Sequence, residues 1–170
     1  HMTLLAENNV GWVNLQKLVS KGHLEGMWYG KPRVDREILR EYSEGIICLS
    51  GCISGPINEW ILQDQEDHAW ETAQELLDIY GKENLYLEIH NHGMEQQAKI
   101  RETLANYAEK MDLKLVAAND VHFLHKEDHE AHDVMICIGT SRLLIDENRM
   151  RYTPEVYFKT AGEMRELFTE

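Results

Sequence analysis

At 170 residues the chain is long enough for one domain with a core of its own, and its 43% apolar and 28% charged residues match an ordinary globular protein. A formal net charge of −13 argues against independent binding to a phosphate backbone, yet leaves room for a cationic site built by bound metal ions. Three cysteines (Cys48, Cys52, Cys137) form no CxxC pair, which points to a reducing cytoplasm; no run nears the roughly 18 apolar residues of a membrane span, and HMTLLAENN lacks the basic and apolar stretches of a signal peptide.

In chain order, Thr3–Ala6 reads as a buried strand, followed by an amphipathic helix capped by Asn8 or Asn9 with Trp12, Leu15, Leu18 and Val19 on its inner face. Lys31, Pro32 and Arg33 form a short basic loop. Gly45 and Gly81 are natural stop residues. Ile46–Ser50, Leu85–Ile89 and Leu115–Ala118 read as further buried strands. Between them, helices place Trp70, Ala73, Leu77 and Tyr80, then Ile100, Leu104, Tyr107 and Met111, towards a core. Asp146–Pro154 is polar and loop-like, Val156–Lys159 reads as a short strand and Ala161–Phe168 as a terminal helix. Strand–helix alternation of this kind predicts an α/β fold with a parallel sheet. Four strands are too few for a closed barrel and suffice for an open sheet or part of a barrel.

Reactive groups in parallel α/β folds gather beyond the C-terminal strand ends. After Ile46–Ser50 comes Gly51-Cys52, after Leu85–Ile89 comes His90-Asn91-His92, and after Leu115–Ala118 comes Asn119-Asp120-Val121-His122. Thiolate, imidazole and carboxylate at three successive ends are the ligand types of zinc, manganese or iron. Asp120 and His122, two apart on an extended segment, would point the same way and grip one ion. Plainer readings stand beside these. Cys52 also reads as a core filler, Asp120 as a turn cap and His122 as a hydrogen-bonded structural histidine. His90 and His92 read as solvated loop residues, and Glu88 as the partner of a neighbour. His129 and His132 read either as a metal clip or as a charged helix start. Lys31, Arg33 and His92 are candidate phosphate contacts. No residue is placed as a nucleophile.

The segments HMTLLAENNVGWVNLQKLVSKGHLEG, KPRVDREIL, EGIICLSGCISG, YLEIHNHG, LVAANDVHF and AHDVMICIGT, in this order and spacing, resemble the C-terminal part of the PHP (polymerase and histidinol phosphatase) domain of bacterial C-family replicative polymerases. The resemblance implies an incomplete portion of a distorted (β/α)7 barrel over residues 1–155, with 156–170 leading towards a following polymerase domain. It implies a trinuclear zinc, manganese or iron centre with ligands at His1, Cys52, Asp120 and His122, and metal-dependent 3′–5′ exonuclease chemistry in the intact domain. Gly30 departs from the family pattern as an insertion before KPR. His1 lies before its strand, so the strand-end rule does not reach it. Implied partners are DNA, through a full-length cytoplasmic polymerase, and other subunits of the polymerase III holoenzyme. The piece alone is expected to be inactive and prone to self-association. Two other readings stay open: a stand-alone phosphoesterase of the histidinol-phosphate phosphatase type, and a scaffold domain without catalysis.

Overall fold

The computed structural model describes residues 1–169. Its main element is a four-stranded sheet of β1 (Thr3–Ala6), β4 (Ile46–Leu49), β5 (Leu85–Ile89) and β6 (Lys114–Ala117), in that spatial order. Helices α3 (Pro56–Leu62), α4 (Glu66–Tyr80) and α5 (Glu95–Met111) make the crossovers. Because a parallel neighbour requires such a return path, β4, β5 and β6 run parallel, as the alternation predicts. The other face of the expectation fails at β1. It pairs antiparallel with β4, Thr3 opposite Leu49, although α1 (Asn9–Leu24) and α2 (Arg36–Glu41) lie between them in the chain.

The core lies between the two central strands and the crossover helices, where Ile46, Ile57, Ile61, Leu85, Leu87 and Leu104 are fully buried. On α4 and α5 the predicted faces hold: Ala73, Tyr80, Ile100, Leu104 and Tyr107 are buried, and Trp70 stacks edge-on against Tyr107 at 5.0 Å between ring centres. The strands at the two sheet edges are not buried as expected. Leu5 on β1 and Leu115 on β6 stay open to solvent.

Helix α1 is capped by Asn8, whose side chain accepts the Gly11 amide. Its inner face matches the predicted one only at Leu18 and, half-buried, at Leu15. Trp12 and Val19 are both 55% exposed, and the buried positions are Gly11, Asn14, Leu18 and Gly22. The helix packs through small residues, with Gly11 directly against the Gly45 backbone and the Asn14 amide donating to the Glu44 carbonyl.

The KPR segment is not a loop but one arm of a hairpin. Strands β2 (Met27–Trp28) and β3 (Lys31–Pro32) pair antiparallel across Tyr29-Gly30, which both take positive φ, the pattern of a type I′ turn. Gly30 therefore sits at the tip of a tight turn. At the other end, a 3-10 turn (Lys126–Asp128) leads into α6 (His129–Thr140), and α7 (Ala161–Leu167) closes the described chain behind a Thr160/Glu163 capping box. The strand expected at Val156–Lys159 is reduced to one parallel bridge, Tyr157 with Phe123.

Candidate metal centre at one end of the sheet

Each parallel strand ends by handing a polar residue to the same rim. On β4 the Ser50 hydroxyl accepts the Glu88 amide, which ends the regular ladder. Gly51 then turns with φ +90, and the Cys52 carbonyl accepts from Gly55 N and from the Asn58 amide, each at 2.7 Å. Cys52 is left half-buried in a tied turn, whereas Cys48 and Cys137 are buried. The Cys48 thiol is pushed up to about 12, by burial first and the Glu88 carboxylate second, so it stays protonated and inert.

After β6, Asp120 takes a left-handed backbone, φ +45. The Asp-x-His segment is thus not the extended pair expected from its spacing. Instead the His122 ring folds back on its own turn, Nδ1 lying 2.6 Å from the Asp120 carbonyl. A carbonyl only accepts, so Nδ1 carries the proton and the Nε2 lone pair is free. The ring rests against Tyr152 at 4.2 Å between centres and edge-on against His132 at 5.7 Å.

His1 reaches the same rim by a route that strand-end reasoning does not cover. Because β1 is antiparallel, its beginning lies beside the end of β4. The His1 backbone nitrogen donates to the Ser54 carbonyl at 2.8 Å, and the His1 carbonyl lies against Gly51. His1, Cys52, Asp120 and His122, from three chain segments, consequently line one cleft of about 620 Å³. Among the described residues, no three His, Cys, Asp or Glu side chains are close enough together to hold one ion. Two imidazoles, a thiol and a carboxylate fit a divalent transition metal by chemistry, as parts of a coordination shell rather than a finished one.

The other candidate residues separate from these four. Lys31 and Arg33 lie on the hairpin and do not line the cleft. His90 and His92 are not solvated: each is 6% exposed. The reason is pairing. His90 Nε2 lies 3.0 Å from Glu88, which makes His90 the neighbour expected to pair with that carboxylate. His92 does line the cleft, but both ring nitrogens are engaged, Nδ1 accepting from Gln97 at 2.9 Å and Nε2 donating to the Asn119 carbonyl at 3.0 Å. Gln97 Oε1 meanwhile accepts the His92 amide at 2.7 Å, so the flip that would let it accept a second ring proton would set the amide nitrogen against the His92 N–H. Burial chiefly, and His90 next, hold His92 below the ordinary 6.5. A group with a depressed folded pKa contributes stability above its unfolded pKa and loses it as pH falls through the folded one. The melting temperature should therefore drop as pH falls below about 6.5, with a shallower slope in His92→Asn; equal slopes in thermal denaturation from pH 7 to 5 would contradict this assignment.

His129 and His132 do not form a metal clip in this cleft. His129 Nε2 donates to the Tyr152 carbonyl at 2.9 Å, and His132 packs among the His122, Phe123 and Tyr152 rings. Instead they fasten the polar, loop-like segment Asp146–Pro154. Met150, Arg151, Tyr152 and Thr153 form a wall of the cleft. The segment is pinned to α6 by a two-pronged Arg149–Asp133 pair, at 2.5 and 2.6 Å, which holds the Asp133 carboxyl below the usual carboxylate range. It is pinned to the β6 turn by Asn119, which donates to the Glu155 and Tyr157 carbonyls. An aperiodic polar stretch carries no signal of such a role.

An open, largely parallel α/β sheet with nitrogen, sulfur and oxygen donors on one rim defines the class of this protein. The chain belongs to the PHP domain family, which matches residues 1–92. Along its whole length it is 44% identical to the DNA polymerase III subunit alpha of Thermus aquaticus, and over 99% of its length 39% identical to that of Treponema pallidum. The chain spans about 14% of the length of these relatives.

Proposed function

We propose that the chain is the PHP segment of a bacterial replicative polymerase alpha subunit, whose intact PHP domain removes 3′-terminal nucleotides by metal-assisted phosphodiester hydrolysis. The observation that carries this reading is the meeting of His1, Cys52, Asp120 and His122 on one cleft. Cys52 would bind as thiolate, Asp120 through its carboxylate, and His1 and His122 through imidazole nitrogen, His122 by the Nε2 that its turn leaves free. A divalent ion held there would supply Lewis acidity towards water and positive charge for the phosphoryl oxygens. Zinc, manganese and iron all suit this donor set. DNA and the other polymerase subunits would be met through the full-length polypeptide, since this segment's own charge is −13. The segment alone would turn over little, its four donors being only part of a shell.

The lack of a ready three-donor cluster among the described residues favours one rival, a scaffold without catalysis. Metal analysis of the full-length polypeptide separates the two. Wild type should carry transition metal, and Cys52→Ser or Asp120→Asn should lose most of it. Excision of a mismatched 3′ end should fall about a hundredfold or more while polymerisation persists. Metal-free wild-type protein, or full metal content in both variants, would leave the scaffold reading in possession.

A further inference from the structure

Among the described residues that line the cleft, Arg151 is the only lysine or arginine, facing a rim that otherwise offers imidazole, thiol and carboxylate. We propose that Arg151 is the residue that binds the phosphate oxyanion of the substrate in this cleft, next to the candidate metal ligands.

Two features support that assignment beyond the charge itself. First, Arg151 is available. It is exposed, and the hydrogen bond it makes uses one Nη2 donor, to the Asp146 carbonyl at 3.1 Å, leaving most of the guanidinium fork free. Arg149, two residues earlier, is the opposite case: its side chain is 4% exposed and both Nη atoms are committed to Asp133. Second, Arg151 is held in place. Arg149 anchors the chain on one side of it, and the His129–Tyr152 bond anchors it on the other. A guanidinium on a fixed wall loses little freedom when it closes on a phosphate, and its planar fork suits two phosphate oxygens.

This assignment rests on the phosphodiesterase reading for the identity of the substrate, but not for the binding of phosphate. The experiment therefore has two arms, both on the full-length polypeptide with its metal content measured. In the first, KM for excision of a mismatched 3′ end should rise about tenfold in Arg151→Gln, the factor of one charge-assisted hydrogen bond, with kcat much less affected and partial recovery in Arg151→Lys. In the second, calorimetric titration with inorganic phosphate should show a binding isotherm in wild type that weakens in Arg151→Gln. A KM change alone assigns Arg151 to phosphate on a strand, and an isotherm change alone assigns it to free phosphate. If wild type shows no excision yet binds phosphate through Arg151, the nuclease reading falls and this one stands. Unchanged KM (or no excision to measure) together with an unchanged isotherm overturns the proposal. Loss of metal in Arg151→Gln also overturns it, since the residue would then be acting through the centre's assembly.

Discussion

Gly51→Ala should destabilise this protein by about 2–4 kcal/mol, an unusually large cost for adding one methyl group. Two penalties coincide at this position. The residue holds φ +90, where an L side chain is strained. A Cβ there would also lie 2.1 Å from the carbonyl oxygen of His1 and 3.1 Å from its carbonyl carbon. Both obstacles are backbone, so no side-chain rotation relieves them. Relief requires the start of β1 to move away from the end of β4, which parts His1 from Cys52. Gly81→Ala is the control. Its φ is +76, but nothing lies within 4 Å of the added carbon, so it should cost only the strain, about 1 kcal/mol. Urea denaturation gives the two stabilities. Labelling of the native thiols gives the local consequence, because Cys52 is half-buried and the other two cysteines are buried. Faster labelling of Cys52 in Gly51→Ala, and not in Gly81→Ala, is expected. Equal stability losses in the two variants would mean that the His1 contact carries no weight.

That same contact shows why part of the site was legible in the sequence and part was not. Cys52, Asp120 and His122 sit just after β-rich runs, and the strand-end rule for parallel sheets finds them without coordinates. Leu85–Ile89, with its near-continuous apolar pattern, is a strand over the residues expected. His1 escapes the rule because the direction of β1 depends on pairing with β4, and nothing local to Thr3–Ala6 encodes that direction. The family resemblance placed His1 at the centre; the antiparallel pairing supplies the physical route. Polarity misleads in a similar way at His90 and His92. A histidine-rich loop reads as solvated until Glu88, Gln97 and the Asn119 carbonyl are seen to satisfy the rings. On α1 the periodic apolar face was outweighed by closeness of approach, since a helix seated on Gly11 and Gly22 presents those residues inward and turns Trp12 out.

The second large effect belongs to Glu88, a carboxylate that is only 6% exposed. Its Oε2 accepts the Gly51 amide at 3.1 Å and its Oε1 lies 3.0 Å from His90 Nε2, so one side chain ties the β4 turn to the β5 turn. Glu88→Ala would leave the Gly51 N–H and the His90 ring without a partner in a place water scarcely reaches. His90 Nδ1 already lacks one among the described residues, so the ring would be stranded at both nitrogens. Leaving two buried donors, the Gly51 N–H and the His90 ring, without an acceptor costs about 1–3 kcal/mol each, mostly as desolvation that is no longer offset. Glu88→Gln should be milder, about 1–2 kcal/mol. Its remaining oxygen can still accept from Gly51, and its amide can donate to His90 Nε2 once the ring proton moves to Nδ1. The ordering Ala worse than Gln is the diagnostic, because a side chain that merely fills space would favour neither. A double-mutant cycle with His90→Ala should return a coupling above about 1 kcal/mol. A null coupling would show that Glu88 supports the Cys52 turn through Gly51 alone. A Glu88→Ala variant within about 0.5 kcal/mol of wild type would show that it supports neither, and that the turn carrying Cys52 is held by Asn58 and the Gly55 amide instead.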